Sequence, residues 1–191
     1  MKNESNLNQS ADSMAFASQT LLRANDLDFP QVQGVLKQIM THEVNYADLY
    51  FQYTRSESWG LEEGRVKSGH FHIEQGVGVR AVSGEKTAFA YSDDIRADAL
   101  LNAANITRAI AQAGQERSIP ALIKRQPPSL YLPQDPIASL SAEAKVKLLE
   151  KLESYARAMD PRIKQVMASI AGEYEVVLIA RHDGVMAADI R

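Results

Sequence analysis

Residues 46–91 form the longest run with strand character, and this run constrains the fold more than any other feature of the sequence. Within it, Ala47, Leu49, Phe51 and Tyr53 are spaced two apart, which is typical of a strand with one buried face. Six glycines, at positions 60, 64, 69, 76, 78 and 84, separate the shorter apolar runs that follow. Because glycine is favoured in turns and bulges, the pattern predicts an antiparallel meander of about four or five strands. The last hairpin is predicted at residues 83–86.

Helical spacing of apolar residues predicts four helices outside this run. The first covers about residues 17–24, and the second begins at Pro30, since proline is favoured in the first turn of a helix. Ser92 is the expected cap of a third helix that spans residues 94–113, and Ser141 that of a fourth helix that ends at Met159. The stripes expected to face inward are Val32, Val35, Leu36, Ile39 and Met40; Ile95, Ala99, Ala103, Ile106, Ile110 and Ala113; and Leu148, Leu149, Leu152, Tyr155, Ala156 and Met159.

Strands are predicted again near the end of the sequence, at residues 163–171, 174–180 and 185–190, with a hairpin turn at Asp183-Gly184. Together these elements predict an α+β fold, in which a mostly antiparallel sheet, made of the meander and the C-terminal strands, has helices packed on one face. Residues 1–14 are polar and are predicted to be a disordered tail. Residues 15–191 are predicted to form one domain, across whose surface the proline-rich residues 114–140 run in extended form.

Composition argues against several classes of function. The net charge of −3 on 191 residues gives no electrostatic reason to expect binding to nucleic acid or to an anionic membrane. No run of 18 apolar residues is present, and the first residues lack the apolar core of a signal peptide. The absence of cysteine excludes disulfides and thiol chemistry, and it fits a cytoplasmic protein.

Several short motifs match known sites in form but not in context. Residues 76–81 satisfy the loose dinucleotide pattern G-x-G-x-x-A, but they are predicted to lie in a strand rather than before a helix. Residues 83–86 fit S-x-x-K, whose chemistry needs a helix, whereas a turn is predicted here. His70, His72 and Glu74 are predicted to share one face of a strand, where they form either a polar face or a metal site with three ligands. His182 is predicted to be an exposed turn residue.

The sequence LYFQ…ESWGLEEGRVKSG…QGVGVRAVSGEKTAFAY resembles the N-terminal domain of the TldD/PmbA (TldE) family of zinc metallopeptidases, and its TldD members more than PmbA. The resemblance extends over about residues 20–191, including the final GEYEVVLIARHDGVMAADIR. TldD-type members carry a zinc-binding His-Glu-x-x-x-His helix and a later cysteine, and neither occurs in this sequence. The nearest counterpart is His42-Glu43, with Ala47 in place of the second histidine. We therefore expect the front part of such an enzyme, without its catalytic C-terminal domain.

The resemblance implies a cytoplasmic enzyme that pairs with a PmbA/TldE-type subunit and that degrades or processes unfolded peptides and small proteins, as in microcin maturation and antitoxin turnover. Zinc is then expected in the full-length protein, while this part supplies no catalytic residue and no metal ligand and is inactive alone. It would contact its own catalytic domain, shape the substrate cleft and bind extended peptides at an exposed sheet edge.

Arg80, Glu85 and Lys86 are the candidate contacts with substrate or partner, because they lie where the resemblance is strongest. Two alternatives stay open. One is a free-standing assembly or binding module, which should show a contiguous apolar surface patch. The other is a PmbA/TldE-like subunit without peptidase activity.

Overall fold

The computed structural model describes residues 13–41, 43–109, 119–125 and 134–191. The chain divides into two compact units. The first contains residues 1–53, 74–133 and 175–191, and the second contains residues 54–73 and 134–174. Outside the described residues lie residues 1–12 of the predicted tail, residues 114–118 and 126–133 of the predicted crossing, and His42.

All six strands contribute to the sheet of the first unit, in the order β3-β2-β1-β5-β6-β4. The pairs β2–β3 and β5–β6 are antiparallel, and the short edge strand β4 is parallel to β6. The predicted α+β class with a mostly antiparallel sheet is confirmed. The strands are β1 (Tyr46–Glu62), β2 (Arg65–Ser83), β3 (Lys86–Ser92), β4 (Ile123–Arg125), β5 (Met167–Arg181) and β6 (Val185–Ile190).

The predicted meander consists of three strands rather than four or five, and two of these strands are long. β1 has 17 residues and β2 has 19. Of the six glycines at positions 60–84, only Gly64 and Gly84 lie in turns, with φ of 71° and 58°. The other glycines lie inside strands, because a neighbouring side chain occupies the space that their Cβ would need; the pairs are Gly60 with Ser68, Gly69 with Trp59, Gly76 with Tyr91 and Gly78 with Phe89. The strands predicted at residues 163–171 and 174–180 are a single strand, β5, which continues through Gly172.

Four helical segments accompany the strands. The first, α1, covers residues 13–17 and continues through a π-helical turn (Ser18–Leu22) and a 3-10 turn (Arg23–Asn25). The others are α2 (Phe29–Ile39), α3 (Ala97–Arg108) and α4 (Ala142–Met159). The predicted stripe of α2 is buried throughout. A capping box formed by Asp28 and Gln31 begins this helix, with both hydrogen bonds at 2.8 Å.

The start and the buried face of α3 differ from the prediction. The Ser92 hydroxyl accepts a hydrogen bond from the Asp94 amide at 3.1 Å in a local turn, so Ser92 does not cap the helix. The helix begins at Ala97, three residues after the predicted start at residue 94. The buried face consists of Leu100, Ala103, Ala104 and Thr107, whereas Ile106 is 57% exposed. The larger side chain of Leu100 fills the space beneath α3, which contacts α2 and β3. The predicted end at residue 113 lies outside the described residues.

In the second unit, α4 is capped by Ser141 and ends at Met159, as predicted. Of the predicted inward residues, Leu149 is buried and Ala156 is half-buried, and the prediction was wrong for the other four. The buried residues are Lys145, Leu149 and Glu153, and the predicted inward residues Leu148, Leu152, Tyr155 and Met159 are 40–72% exposed. The two charged residues tolerate burial because each is paired, Lys145 with Glu57 and Glu153 with Arg157.

Candidate functional site

Arg80 lies on β2 in the first unit and is paired with Asp48 on β1. The guanidinium Nε donates to Asp48 Oδ1 at 2.9 Å, and Nη2 donates to Oδ2 at 2.5 Å. Asp48 is buried, whereas the Arg80 side chain is 48% exposed. These charge-assisted hydrogen bonds raise the pKa of Arg80. The guanidinium is therefore permanently charged, fixed in orientation and open to solvent on one side.

The ring of Tyr46 lies at the centre of this cluster. The guanidinium carbons of Arg80 and Arg181 lie 5.2 and 5.7 Å from its centroid, which is cation–π distance. The Tyr46 hydroxyl donates to Asp48 Oδ2 at 3.0 Å. Burial and the negative charge of Asp48 raise the pKa of Tyr46. The phenol therefore stays protonated and helps to hold the Asp48 carboxylate.

His182 belongs to the same cluster and is not the exposed turn residue that was predicted. Its ring meets the Tyr46 ring edge-on at a centroid distance of 5.2 Å. Its Nδ1 accepts a hydrogen bond from the Ala47 amide at 3.2 Å, and its own amide donates to the Ala47 carbonyl at 2.9 Å. These contacts leave the side chain half-buried, because β1 and the β5–β6 turn are adjacent.

Glu85 and Lys86 lie at the exposed tip of the β2–β3 hairpin. Lys86 pairs with Ser83 across a tight turn at Gly84 and Glu85, so the predicted hairpin is confirmed and the S-x-x-K pattern is not helical. Arg80 lies farther along the same hairpin, opposite Phe89. The three candidate contact residues therefore share a hairpin but lie in two different environments.

The residues of β2 that could bind a metal are all exposed, namely His70, His72 and Glu74. Within the described ranges, no group of three or more His, Asp or Glu side chains is placed to hold a metal ion. His70, His72 and Glu74 consequently do not fit a zinc site.

An open sheet edge lies on β2 in the second unit. The outer neighbour of β2 is β3, and β3 pairs only with residues 77–83. No strand in the described part of the chain pairs with the outer side of residues 65–73 (hereafter the open edge). Such an edge presents backbone N–H and C=O groups to another strand. Sequence reasoning expected an exposed edge but could not locate it, because the glycines suggested several short strands.

The open edge has an exposed apolar part. Phe71 and Ile73 are 59% and 50% exposed, and Val66 is also exposed. Gly69 lies beneath the indole of Trp59, whose Cζ3 would stand 2.9 Å from a Cβ at position 69. A long edge with large apolar side chains is a site for pairing with another chain. This part of the molecule is therefore suited to bind an extended segment.

Behind the open edge, β1 is joined to α4 by a buried ion pair. The Lys145 ammonium donates to Glu57 Oε1 and Oε2 at 2.9 and 3.0 Å, and to the Ile137 carbonyl at 2.6 Å. The two side chains are 8% and 12% exposed. The hydrogen bond from Lys145 lowers the pKa of Glu57. All three ammonium protons have acceptors, so the pair acts as a structural link, which sequence reasoning missed.

Two cavities adjoin this link. One of about 150 Å³ is lined by Glu57, Trp59, Ile137 and Lys145, among others. The other, of about 360 Å³, is lined by Ser56, Ser58, His70 and Glu173, among others. Both are lined mainly by apolar surface, and both include charged and hydroxyl side chains.

Leu148, Leu152, Tyr155 and Met159 form an exposed row on α4 at spacings of four, three and four residues (hereafter the α4 row). This spacing places them along one side of the helix. The α4 row is the candidate for the apolar patch that an assembly module is expected to show. Among the described residues, no helix is long and apolar enough to cross a membrane.

Two family models match successive parts of the chain. The model of PmbA/TldA metallopeptidase domain 1 matches residues 47–113, and that of the PmbA/TldA metallopeptidase central domain matches residues 135–191. The curated protein "Metalloprotease TldD homolog" of Haemophilus influenzae is 45% identical over 177 residues, which cover 91% of this chain and 36% of that protein. The protein of the same name from Buchnera aphidicola subsp. Schizaphis graminum is 37% identical over 178 residues, 93% of this chain and 37% of its own length.

Solved structures show the same fold at low identity. A protein from Bacteroides thetaiotaomicron proposed as a modulator of DNA gyrase aligns with a TM-score of 0.62 and 15% identity, over 84% of this chain and 38% of its own. TldE from Thermococcus kodakarensis aligns with a TM-score of 0.53 and 14% identity, over 76% of this chain and 34% of its own.

These matches define the class as a metallopeptidase-family domain. The chain belongs to the PmbA/TldD family, and the resemblance inferred from residues 46–91 is confirmed. The chain spans slightly more than a third of the length of the curated relatives that it matches, and those relatives are named metalloproteases.

Proposed function

We propose that this chain is the N-terminal, non-catalytic part of a TldD-type zinc metallopeptidase that degrades or processes unfolded peptides and small proteins. Microcin maturation and antitoxin turnover are processes of this type. The names of the curated relatives and the two family matches support the assignment. In this proposal zinc and the catalytic residues belong to the rest of the full-length protein, in the cytoplasm.

The observation that carries the proposal is the open edge. An extended peptide that adds to β2 gains main-chain hydrogen bonds whatever its side chains are, which suits an enzyme acting on unfolded chains. The exposed Phe71 and Ile73 add apolar contact area. The role of the chain is then to shape the substrate cleft and to hold the peptide.

The proposed partners are the catalytic domain of the same protein and a PmbA/TldE-type subunit. The likeness in fold to TldE supports a pairing of similar subunits. Glu85 and Lys86, at an exposed hairpin tip, are suited to contact a substrate or partner. Arg80 is held by Asp48, and the exposed side of its guanidinium is suited to a separate contact.

Backbone N-methylation of the ligand tests strand addition, because it removes N–H donors without changing the side chains. The probe is a fluorescein-labelled unfolded nine-residue peptide, compared with two versions that are N-methylated at odd or at even positions. We expect one methylated version to bind about 10- to 100-fold more weakly, since several hydrogen bonds of about 0.5–1.5 kcal/mol each are lost. Equal binding of all three would contradict strand addition.

A second experiment tests the non-catalytic assignment. The chain alone, supplied with zinc, should bind the unfolded peptide without hydrolysing it. Zinc-dependent cleavage that a chelator stops, by chain free of contaminating protease, would overturn this assignment.

The α4 row favours a second candidate function, an assembly module without a role in peptide binding. On that reading Leu152→Glu and Tyr155→Ser would abolish association with a purified PmbA/TldE-type subunit, and Phe71→Ser would have no effect on peptide binding. Loss of peptide binding in Phe71→Ser with association intact would favour the peptide-binding role.

A further inference from the structure

The open edge has different chemistry on its two faces, because side chains alternate along a strand. Gly69, Phe71 and Ile73 share one face with Arg65 and Lys67. The contact between Gly69 and the Trp59 ring shows that this face is the one that carries Trp59. Ser68, His70 and His72 lie on the opposite face, where His70 lines the cavity of about 360 Å³ with Ser56 and Ser58.

On the Trp59 face, the apolar and the charged residues occupy different ends. Phe71 and Ile73 are apolar and exposed, and lie at one end. Arg65 and Lys67 are exposed cations at the other end, close to the β1–β2 turn. Gly69 separates the two pairs and is covered by the indole. The face thus consists of an apolar pair and a cationic pair.

We propose that the open edge selects extended peptides that carry two apolar residues, two positions apart, and two acidic residues farther along the same face. This inference rests on the proposed function and names the class of substrate that the edge prefers. A strand added to β2 would lie about 4.8 Å away. Its side chains would stand about 4.5–5.5 Å from those directly opposite, within reach of apolar and ionic contact.

The complementarity covers both ends of the edge. Apolar side chains of the peptide lie beside Phe71 and Ile73 and shield them from water. Acidic side chains lie beside Arg65 and Lys67, where opposite charges across a strand pair are favourable. On the other face, the peptide carries small polar residues beside Ser68 and His70. The order of the two pairs along the peptide follows from whether it runs antiparallel or parallel to β2.

Three labelled nine-residue peptides of identical composition test the inference by fluorescence anisotropy. The first has valine at positions 1 and 3, glutamate at positions 7 and 9, and threonine elsewhere; the second has the reverse order. The third has valine at positions 1 and 2 and glutamate at positions 8 and 9, so that each pair is divided between two faces. We expect the first or the second to bind at least 10-fold more tightly than the third.

Variants of the full chain locate the preference. Phe71→Ser combined with Ile73→Thr should abolish the advantage of the patterned peptide, and Arg65→Gln combined with Lys67→Gln should reduce it several-fold at low salt. Lys37→Gln, at an exposed position on α2 and outside the open edge, is the control and should leave the advantage unchanged. Circular dichroism and thermal unfolding establish that each variant is folded, as expected for exposed positions.

The outcomes separate this inference from the function on which it rests. If all three peptides bind equally, the edge binds peptides without this preference, and only the inference fails. If none binds, the proposed function fails as well. A preference that persists in the Phe71→Ser/Ile73→Thr variant would overturn the assignment of the selecting residues.

Discussion

The indole ring of Trp59 covers Gly69 so closely that a Cβ at position 69 would stand 2.9 Å from Cζ3 and 3.1 Å from Cε3. Gly69→Ala must therefore displace the ring, which also lines the cavity of about 150 Å³ in the second unit. We predict a loss of about 1–3 kcal/mol in the free energy of unfolding, measured by urea denaturation. The same variant should weaken peptide binding, because the displaced indole disturbs the adjoining face of β2.

Gly34→Ala is the matched control for this substitution. Gly34 lies exposed inside α2, with no atom within 4 Å of the position that its Cβ would occupy. Alanine there should stabilise the protein by about 0.5–1 kcal/mol, because it reduces the backbone entropy of the unfolded chain. Effects of equal sign at positions 34 and 69 would contradict the assigned contact between Gly69 and Trp59.

Lys145→Met should strongly destabilise the second unit. The substitution leaves the Glu57 carboxylate buried without its main partner, which costs about 3–5 kcal/mol. The double variant Lys145→Met/Glu57→Leu removes both charges and should recover most of the lost stability, as a double-mutant cycle in urea would measure. If the double variant is no more stable than Lys145→Met, the pair is not the link between β1 and α4.

The same pair predicts a dependence of stability on pH. Lys145 lowers the pKa of Glu57 in the folded protein, below the ordinary value of 4.5. The stabilisation is therefore fully present above pH 4.5 and is lost as the pH falls through the lowered pKa of the folded state. Urea denaturation should give the free energy of unfolding of the wild type and of the Lys145→Met/Glu57→Leu variant at each pH. Below pH 4.5 the wild type should lose stability relative to the variant. If the difference in free energy of unfolding stays constant as the pH falls, Lys145 does not stabilise the charged form of Glu57.

Arg80→Ala should destabilise the first unit, because it removes the main partner of the buried Asp48 carboxylate. Without the guanidinium, the buried carboxylate keeps the Tyr46 hydroxyl as a donor but loses two charge-assisted hydrogen bonds. We expect a loss of about 1–3 kcal/mol in the free energy of unfolding. Arg162→Ala serves as the control, because the Arg162 side chain that pairs with Asp160 is 89% exposed, and it should have little effect. An equally small effect for Arg80→Ala would show that the Asp48 pair is not structural.

Local patterns in the sequence predicted much of the fold. Residues close together in sequence determine the start of α2 near Pro30, the Ser141 cap of α4, the hairpin at residues 83–86 and the turn at Asp183-Gly184, all of which were predicted. The capping box of α2 was not predicted. The length of β1 and β2 could not be predicted, because whether Gly69 or Gly78 ends a strand depends on an aromatic ring from the neighbouring strand.

The candidate site was less predictable for the same reason. The inward face of α4 was misjudged because the burial of Lys145 depends on Glu57, which lies 88 residues away in sequence. Arg80 was singled out from the resemblance, but its orientation is set by Asp48 and Tyr46 on another strand. The open edge likewise follows from where β3 stops pairing, which no local pattern encodes.

Amide hydrogen exchange by NMR, with and without a saturating unfolded peptide, tests the central claim most directly. Strand addition predicts that alternate amides among residues 65–73, those that face away from β1, become protected when the peptide binds, while amides of α4 and of the hairpin tip at Glu85 do not change. Protection confined to α4 or to the hairpin tip, or peptide binding without protection on β2, would contradict the account.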